Sequence, residues 1–569
     1  MTTFDVVLST QFNNISSVFL KNRKLKTVAF PAIIVGSGLA LAVLWLTSLP
    51  LGIPGEWTWD RVPTEPDLMW NLVGAAVASA LFIAFVLKGS HRLTGTVNRS
   101  WYRLEVIAWH FGLVVISFAW LWIIQECTPV KNRLGKAAFV LYYANSSGYF
   151  TRARYDQPDP IEFLAGYENL MQQGDVLHTG THPPGLFLAF HGLIEACHSS
   201  PGLCAALDAT QPASFREAMD VIAATNLRRA VPRQLLPSDR QVLWLATLLI
   251  MLSASLTVIP LYGLIRRTCS IQAAWIGSAL WPALPAVAIF IPKSDTMFPL
   301  LGLTILWLWL TAWDRRSLVV AFFAGLVTWT GLLCSLAFLP VLLAAALMTL
   351  GKSCFFSKSK GLVSTNDLLK SCQSATIGIR HWVCIAAAIV GFIVPSICLW
   401  YATKINLINV WLLNYRNHAG FYQQYPRTYW KWLLFNPLEL SFAAGWPVAV
   451  MAFVSCWSVL CRSRQRKDLT TPISYAKTDI IAVVISIAFV WGALWLTGKN
   501  SGEAARLWIM FLPWLIWLTM IQFEEFTSTN SDIKFKDLPS ITLLSTQFLV
   551  CLLTVIRVSG FHSETGNTG

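Results

Sequence analysis

The chain alternates long apolar blocks with short polar clusters from one end to the other. The apolar blocks approach the roughly 20 residues that an α-helix needs to cross a bilayer. The pattern predicts thirteen spans, at 28–50, 69–87, 104–125, 241–264, 271–291, 296–313, 318–334, 337–351, 382–403, 438–460, 479–497, 506–522 and 541–558. The pair within 318–351 is short and leaves open a single bent element. A membrane β-barrel would instead show short segments of alternating polarity. The expected fold class is an all-α polytopic membrane protein.

The polar clusters sort by charge once an orientation is chosen. Lys21, Arg23, Lys24 and Lys26 place the N-terminus inside, because Lys and Arg gather in cytoplasmic loops. The inner loops are then 88–103 (Lys88, Arg92, Arg99, Arg103), Arg266–Arg267, Arg315–Arg316, 352–381 (Lys352, Lys358, Lys360, Lys370, Arg380) and 461–478 (Arg462, Arg464, Arg466, Lys467, Lys477). Every compact basic cluster falls on one side. The outer side receives the long loop 126–240, the turn "IPKSDT" at 291–296, loop 404–437 and "TGKNSGEAAR" at 497–506. These four carry acids, histidines and aromatics, and they read as pieces of one site. No internal repeat and no low-complexity tract is present.

Composition agrees. Of 569 residues, 55% are hydrophobic and 13% charged, against about a quarter charged in soluble proteins. The net charge of +14 is explained by the inner loops and does not point to nucleic acid. The 12 cysteines have neither CxxC nor zinc spacing, and most serve as small apolar residues. Cys197 and Cys204, in the outer loop, are candidates for a bridge. No cleavable signal peptide is expected, since the first apolar run follows "KNRKLK" and is long enough to stay in the membrane.

The outer clusters carry the candidate chemistry. In "GDVLHTGTHPPG" (174–185) Asp175, His178 and His182 precede two prolines. Pro183 and Pro184 fix their φ angles and favour a helix start. His182 then stands at a helix mouth, where free N–H groups favour anions. Upstream, "SGYFTRARYDQPDPIEFLAGYENLM" holds Tyr149, Arg152, Arg154, Asp156, Asp159, Glu162 and Glu168. Its 162–168 part reads as a helix lying on the membrane surface, with Phe163, Leu164 and Tyr167 on its apolar side. Asp159 also suits a helix cap. Lys293 and Asp295 lie too near the hydrocarbon to be casual, although a lysine there can snorkel. Glu503 and Arg506 share a helix face, either as an internal ion pair or with the guanidinium reserved for phosphate. Tyr415, Arg416, His418, Tyr422, Tyr425, Arg427, Tyr429 and Trp430 mix rings with cations, as an interfacial belt or as a surface for sugar and lipid.

In this order, "SGYFTRARYDQPDPIEFLAGYENLM" running into "THPPG", then "PKSDT", then "GEAARLW", the chain resembles the GT-C superfamily of integral-membrane glycosyltransferases. It is similar above all to bacterial members related to protein O-mannosyltransferases and to the aminoarabinose transferases of lipid A. The likeness covers about 104–522, with outer loop 126–240 in that core. Residues 1–103 form an N-terminal pair of spans, and 523–569 a C-terminal span and tail. The two spans before 104 and the stretch 199–240 are additions to the usual layout. The resemblance implies transfer of a sugar from a polyprenyl-phosphate donor to a hydroxyl of a lipid, glycan or protein acceptor. It places the site outside, on the periplasmic face of a bacterial inner membrane. It implies Asp156 or Asp159 as the base or as ligand to a divalent ion, Mg or Mn, with His182 as the third catalytic candidate. Substrate-binding candidates are Tyr149, Arg152, His178, Lys293, Asp295, Glu503 and Arg506. The chain lacks the acidic pair that commonly follows the span directly. Rival readings are an O-antigen ligase or polymerase, and a lipid-linked-sugar transporter, which would want repeated halves and broken or charged helices at mid-bilayer.

Overall fold

The computed structural model describes residues 23–66, 68–95, 102–175, 180–228, 234–359, 378–465, 475–499, 501–529 and 537–560. His178, Lys21, Arg99, Lys360, Lys370, Arg466 and Lys467 lie outside the described residues. The chain is a polytopic α-helical protein. Among the described residues, eight helices are long and apolar enough to cross a membrane, or nine if one bent pair counts as a span. Three further apolar helices, Pro31–Leu46, Leu318–Cys334 and Leu336–Lys352, are shorter. The thirteen expected spans are not all matched by helices of this length among the described residues. Stripes such as Val73, Val77 and Leu81, each more than half exposed, recur every helical turn. Apolar stripes of this kind suit hydrocarbon and not water.

Two expected spans are broken. The 271–291 stretch divides into Ile271–Leu280, a short 3-10 turn at Trp281–Ala283 and Pro285–Phe290. Pro282 and Pro285 cannot donate backbone N–H, so the helix cannot run through them. The expected span at 438–460 begins earlier, at Tyr429, and turns by 120° between Tyr429–Ala444 and Trp446–Leu460. Gly445, at φ +82, takes the left-handed corner that other residues avoid. Freed carbonyls in a membrane core need donors. Gln547 donates to Ala283 O at 2.9 Å and to Ala444 O at 3.0 Å, serving both breaks at once. Trp120 Nε1 serves Pro282 O, and Gln125 serves Ala288 O.

The two ends of the bundle differ. At one, Arg267, Asp314, Lys352 and Asp479 form an ion-pair chain, and Ser270 donates to Glu524 at 2.6 Å. At the other, a β-hairpin of β1 (Leu51–Ile53) and β2 (Trp57–Arg61) takes β3 (Val558–Ser559) as a third antiparallel strand, with Arg61 opposite Val558. Glu56 at the hairpin tip accepts from Thr428 N and Oγ1 and from Trp432 Nε1 at 2.6–2.8 Å. Burial works to raise that carboxyl, but these hydrogen bonds and the nearby Lys431 ammonium hold it down at about 2.

The stretch 126–240 folds into a cap of short helices over this second end. The 162–168 surface helix is corrected: it is two helices, Pro160–Ala165 and Tyr167–Gln172, with Phe163, Leu164 and Tyr167 buried in the cap. Leu407–Gln424 lies against the cap, where Glu168 accepts from Asn406 N at 2.8 Å. Cys197 and Cys204 are free thiols, Cys204 Sγ donating to Cys197 O at 3.1 Å, so the expected bridge is corrected.

Candidate active site

The helix start read from the prolines is present: Pro184 precedes the helix Gly185–Ser199. A Cβ on Gly185 would lie 2.6 Å from Leu333 O, so the absent side chain lets this helix start close on the end of Leu318–Cys334. His182 is fixed at the entrance. Its carbonyl accepts from Tyr167 Oη at 2.6 Å, its Nδ1 lies 3.1 Å from Thr181 Oγ1, and its ring meets Tyr149 edge-on at 5.9 Å.

From Tyr149 the contacts run inward. Tyr149 is buried in the one-turn helix Tyr149–Thr151 and hydrogen-bonds Ser294. Burial, and then the Asp295 carboxylate, push its phenol up. Ser294 and Asp295 belong to the turn between Pro285–Phe290 and Phe298–Arg315. Lys293 N bonds Phe290 O at 2.7 Å, and Thr296 Oγ1 bonds Lys293 O at 2.7 Å. The Lys293 ammonium is 6% exposed and donates to Ser146 O. Burial, with the Arg506 guanidinium nearby, brings it down to about 7 against the opposing pull of Asp295 and Glu503.

Arg506 is the centre of the cluster. It donates to Glu503, one turn earlier, and its Nε lies 3.9 Å from Asp295 Oδ2. That distance is an ion pair and not a hydrogen bond, and the buried Nε has no hydrogen-bond partner. Burial opposes the charge, yet Glu503 and then Asp295 raise its pKa. Gly502, at φ +91, lets this turn press on its neighbours. A Cβ there would lie 2.9 Å from Arg427 Nε and 3.2 Å from Trp57 Cβ.

Glu439 was not singled out in the sequence. It is 5% exposed, and its Oε1 accepts from Ala505 N at 3.1 Å, anchoring the turn that carries Arg506. Its Oε2 is buried without a partner. The signal was available: one carboxylate in the otherwise uncharged "LLFNPLELSFAA" at 433–444, where ionisable groups are costly.

The structure thus brings His182, Tyr149, Lys293, Asp295, Glu503 and Arg506 into one chain of contacts. The remaining candidates stand apart in role. Asp159 caps Pro160–Ala165, accepting from Ile161 N and Glu162 N at 2.7 and 3.2 Å. Asp156 lies at the end of the π-helical turn Arg152–Asp156 and pairs with Arg152 at 3.5 Å. Arg154 is held by Asp239 at 2.7 Å. Among the described residues no group of three or more His, Cys, Asp or Glu side chains is placed to hold a metal ion. Of the belt residues, Tyr415, Tyr425, Tyr429 and Trp430 are exposed, and Lys499 stacks over the Tyr415 ring at 5.4 Å.

No family model and no curated protein matches this chain. Among solved structures it is similar to the Archaeoglobus fulgidus oligosaccharyltransferase in two crystal structures. The complex with Zn and sulfate gives a TM-score of 0.35 at 12% identity, over 75% of this chain and 53% of that one. The apo form gives 0.38 at 12% identity, over 82% and 57%. The chain spans little more than half the length of the structures it matches.

Proposed function

We propose that this protein is a GT-C-type membrane glycosyltransferase that moves a sugar from a polyprenyl-phosphate donor to an acceptor hydroxyl on the outer face. The observation that carries the reading is Arg506: a guanidinium shared by two carboxylates, with a buried Nε lacking a hydrogen bond, at the end of a bundle of apolar helices. A substrate that is half lipid and half sugar phosphate needs such a place, cationic and adjacent to hydrocarbon. The basic clusters at the opposite end support an outward-facing site.

The proposed reaction uses the chain's own groups. The acceptor hydroxyl loses its proton to a carboxylate, for which Asp156 is the candidate because Asp159 is engaged as a cap. The acceptor oxygen forms a bond to the anomeric carbon. The bond from that carbon to the phosphate oxygen breaks, and its electron pair leaves on polyprenyl phosphate. Arg506 takes the developing charge through its fork of donors, and the Lys293 ammonium adds a second cation. Tyr149 donates to a donor oxygen, and His182 closes the entrance. The broken helices favour the transporter reading as the alternative. The test is the purified chain with a synthetic polyprenyl-phosphate sugar and a mixture of lipid and glycan acceptors. Release of polyprenyl phosphate coupled to a new glycoside supports transfer; movement of intact donor across vesicles without bond cleavage defeats it.

A further inference from the structure

A cavity of about 300 Å³ lies at the basic end, far in the chain from the proposed active site, lined by Gly263, Arg266, Arg267, Trp307, Thr311, Asp314 and Arg315. We propose that it binds the phosphate headgroup of an anionic phospholipid from the leaflet at that end.

Two helices make the cleft. Gly263 sits in Val258–Ile265, and Arg266 and Arg267 follow at its end. Trp307, Thr311 and Arg315 lie four residues apart on Phe298–Arg315 and so share one face. At 1.5 Å per residue this face runs about 12 Å from Arg315 into the bundle, from the headgroup level towards hydrocarbon. Gly263 shapes the inner wall: a Cβ there would stand 2.5 Å from Trp307 Nε1. Only a glycine lets the indole N–H lie against that backbone.

The charge balance leaves cations in surplus. Arg267 pairs with Asp314 and also donates to Leu310 O at 3.2 Å, and Lys352 approaches the same carboxylate at 3.5 Å. Arg266 turns one donor back onto Cys269 O at 2.6 Å. Among the described residues lining the cleft, Asp314 is the single anion beside three guanidinium groups; it is already met by Arg267 and Lys352, and Asp479, outside the lining, also pairs with Lys352 at 3.2 Å. Both helices end here, which would disfavour an anion, but several of their end carbonyls accept backbone N–H, Leu264 O from Arg267 N and Ile265 O from Thr268 N. Arg266 N bonds Tyr262 O at 2.9 Å, and the Arg316 backbone N–H bonds Ala312 O. A phosphate diester satisfies the surplus through the Arg266 and Arg315 forks. The glycerol and ester oxygens behind it reach Thr311 Oγ1 and Trp307 Nε1. A free phosphate would share the arginines but leave those two deeper donors unused, and basic pockets between membrane helices favour anionic headgroups.

The experiment uses the full chain, delipidated in detergent, with phosphatidylglycerol, phosphatidylcholine or inorganic phosphate added, read by native mass spectrometry and thermal unfolding. The expected result is retention of phosphatidylglycerol and a raised unfolding temperature with that lipid alone. The double variant R266Q/R315Q keeps the Arg267–Asp314 pair and should lose about tenfold or more in phosphatidylglycerol affinity. Trp307→Phe, which removes only the N–H, should weaken phosphatidylglycerol retention and leave the chain folded. Equal retention of the two lipids, equal stabilisation by inorganic phosphate, or unchanged retention in folded Trp307→Phe overturns the proposal.

Discussion

At the basic end, cations and carboxylates meet across neighbouring helices with the carboxylates open to water: Asp314 is 43% exposed and Asp479 32%, while their partners Arg267 and Lys352 are half-sheltered between the helices. At the capped end, Asp295 is 15% exposed, Arg506 serves it and Glu503 together, and Lys293 is buried against a carbonyl. Exposed pairs contribute about 0–1 kcal/mol and tolerate imperfect partners. Buried charges cost several kcal/mol each unless fully paired, so a fold retains them where something else is gained. Charge at the first end ties helices together; charge at the second is what we propose a bound anion completes.

Breaking the second end should have the largest effect. Arg506→Ala leaves Glu503 and Asp295 without their shared cation, and turnover of polyprenyl-phosphate sugar should fall by about 100- to 1,000-fold, the scale of losing one donor to a developing anion. Asp156→Asn should lower turnover by about 100-fold with donor binding kept, if it is the base. Asp159→Asn should act differently, because asparagine caps a helix about as well as aspartate; near-normal turnover is expected, whereas a collapse like that of Asp156→Asn would put the base at 159.

Lys293 sharpens the comparison through pH. Its folded pKa, about 7, lies below the ordinary lysine value near 10.4. Between those values the unfolded chain binds more protons, so this group's contribution to stability rises with pH and is absent below about 7. Lys136, also brought to about 7 by burial, acts in the same direction. Lys293→Met should therefore flatten, without abolishing, the rise in unfolding temperature from pH 7 to 10; an unchanged profile would show that Lys293 is not buried as described. The smallest effect belongs to the basic end: Asp479→Asn should shift stability by at most about 1 kcal/mol and leave turnover alone, by denaturation and by donor assay.

Much of this contrast was legible in the chain. The polytopic α-helical class follows from hydropathy, though not the number of spans, and the pairing of Glu503 with Arg506 follows from their spacing. The breaks were not legible at 271–291 and 429–460. A hydropathy window sums apolar character and does not register a missing N–H, and the residue that satisfies both breaks, Gln547, lies more than 100 positions away. The β2–β3 pairing joins residues 60 and 559 for the same reason: nothing local marks a two-residue strand. Tyr149 and Lys293 were singled out, but their contact with one another's neighbours depends on how 126–240 folds back. Short amphipathic helices such as Pro201–Thr210 and Ala213–Leu227 do not announce their packing partners.

The central claim is that Arg506 is a phosphate clamp and not a sealed ion pair, and Arg506→Lys tests it most directly. A lysine supplies a point charge that still satisfies Glu503 and Asp295, but it lacks the bidentate fork. Donor affinity should be measured on folded wild type and variant, by titration of a polyprenyl-phosphate sugar into the purified chain. The account predicts binding weaker by about tenfold or more, the equivalent of 1.4 kcal/mol, with the unfolding temperature nearly unchanged. Equal donor affinity in the two proteins would contradict it and leave Arg506 as a structural partner of Glu503.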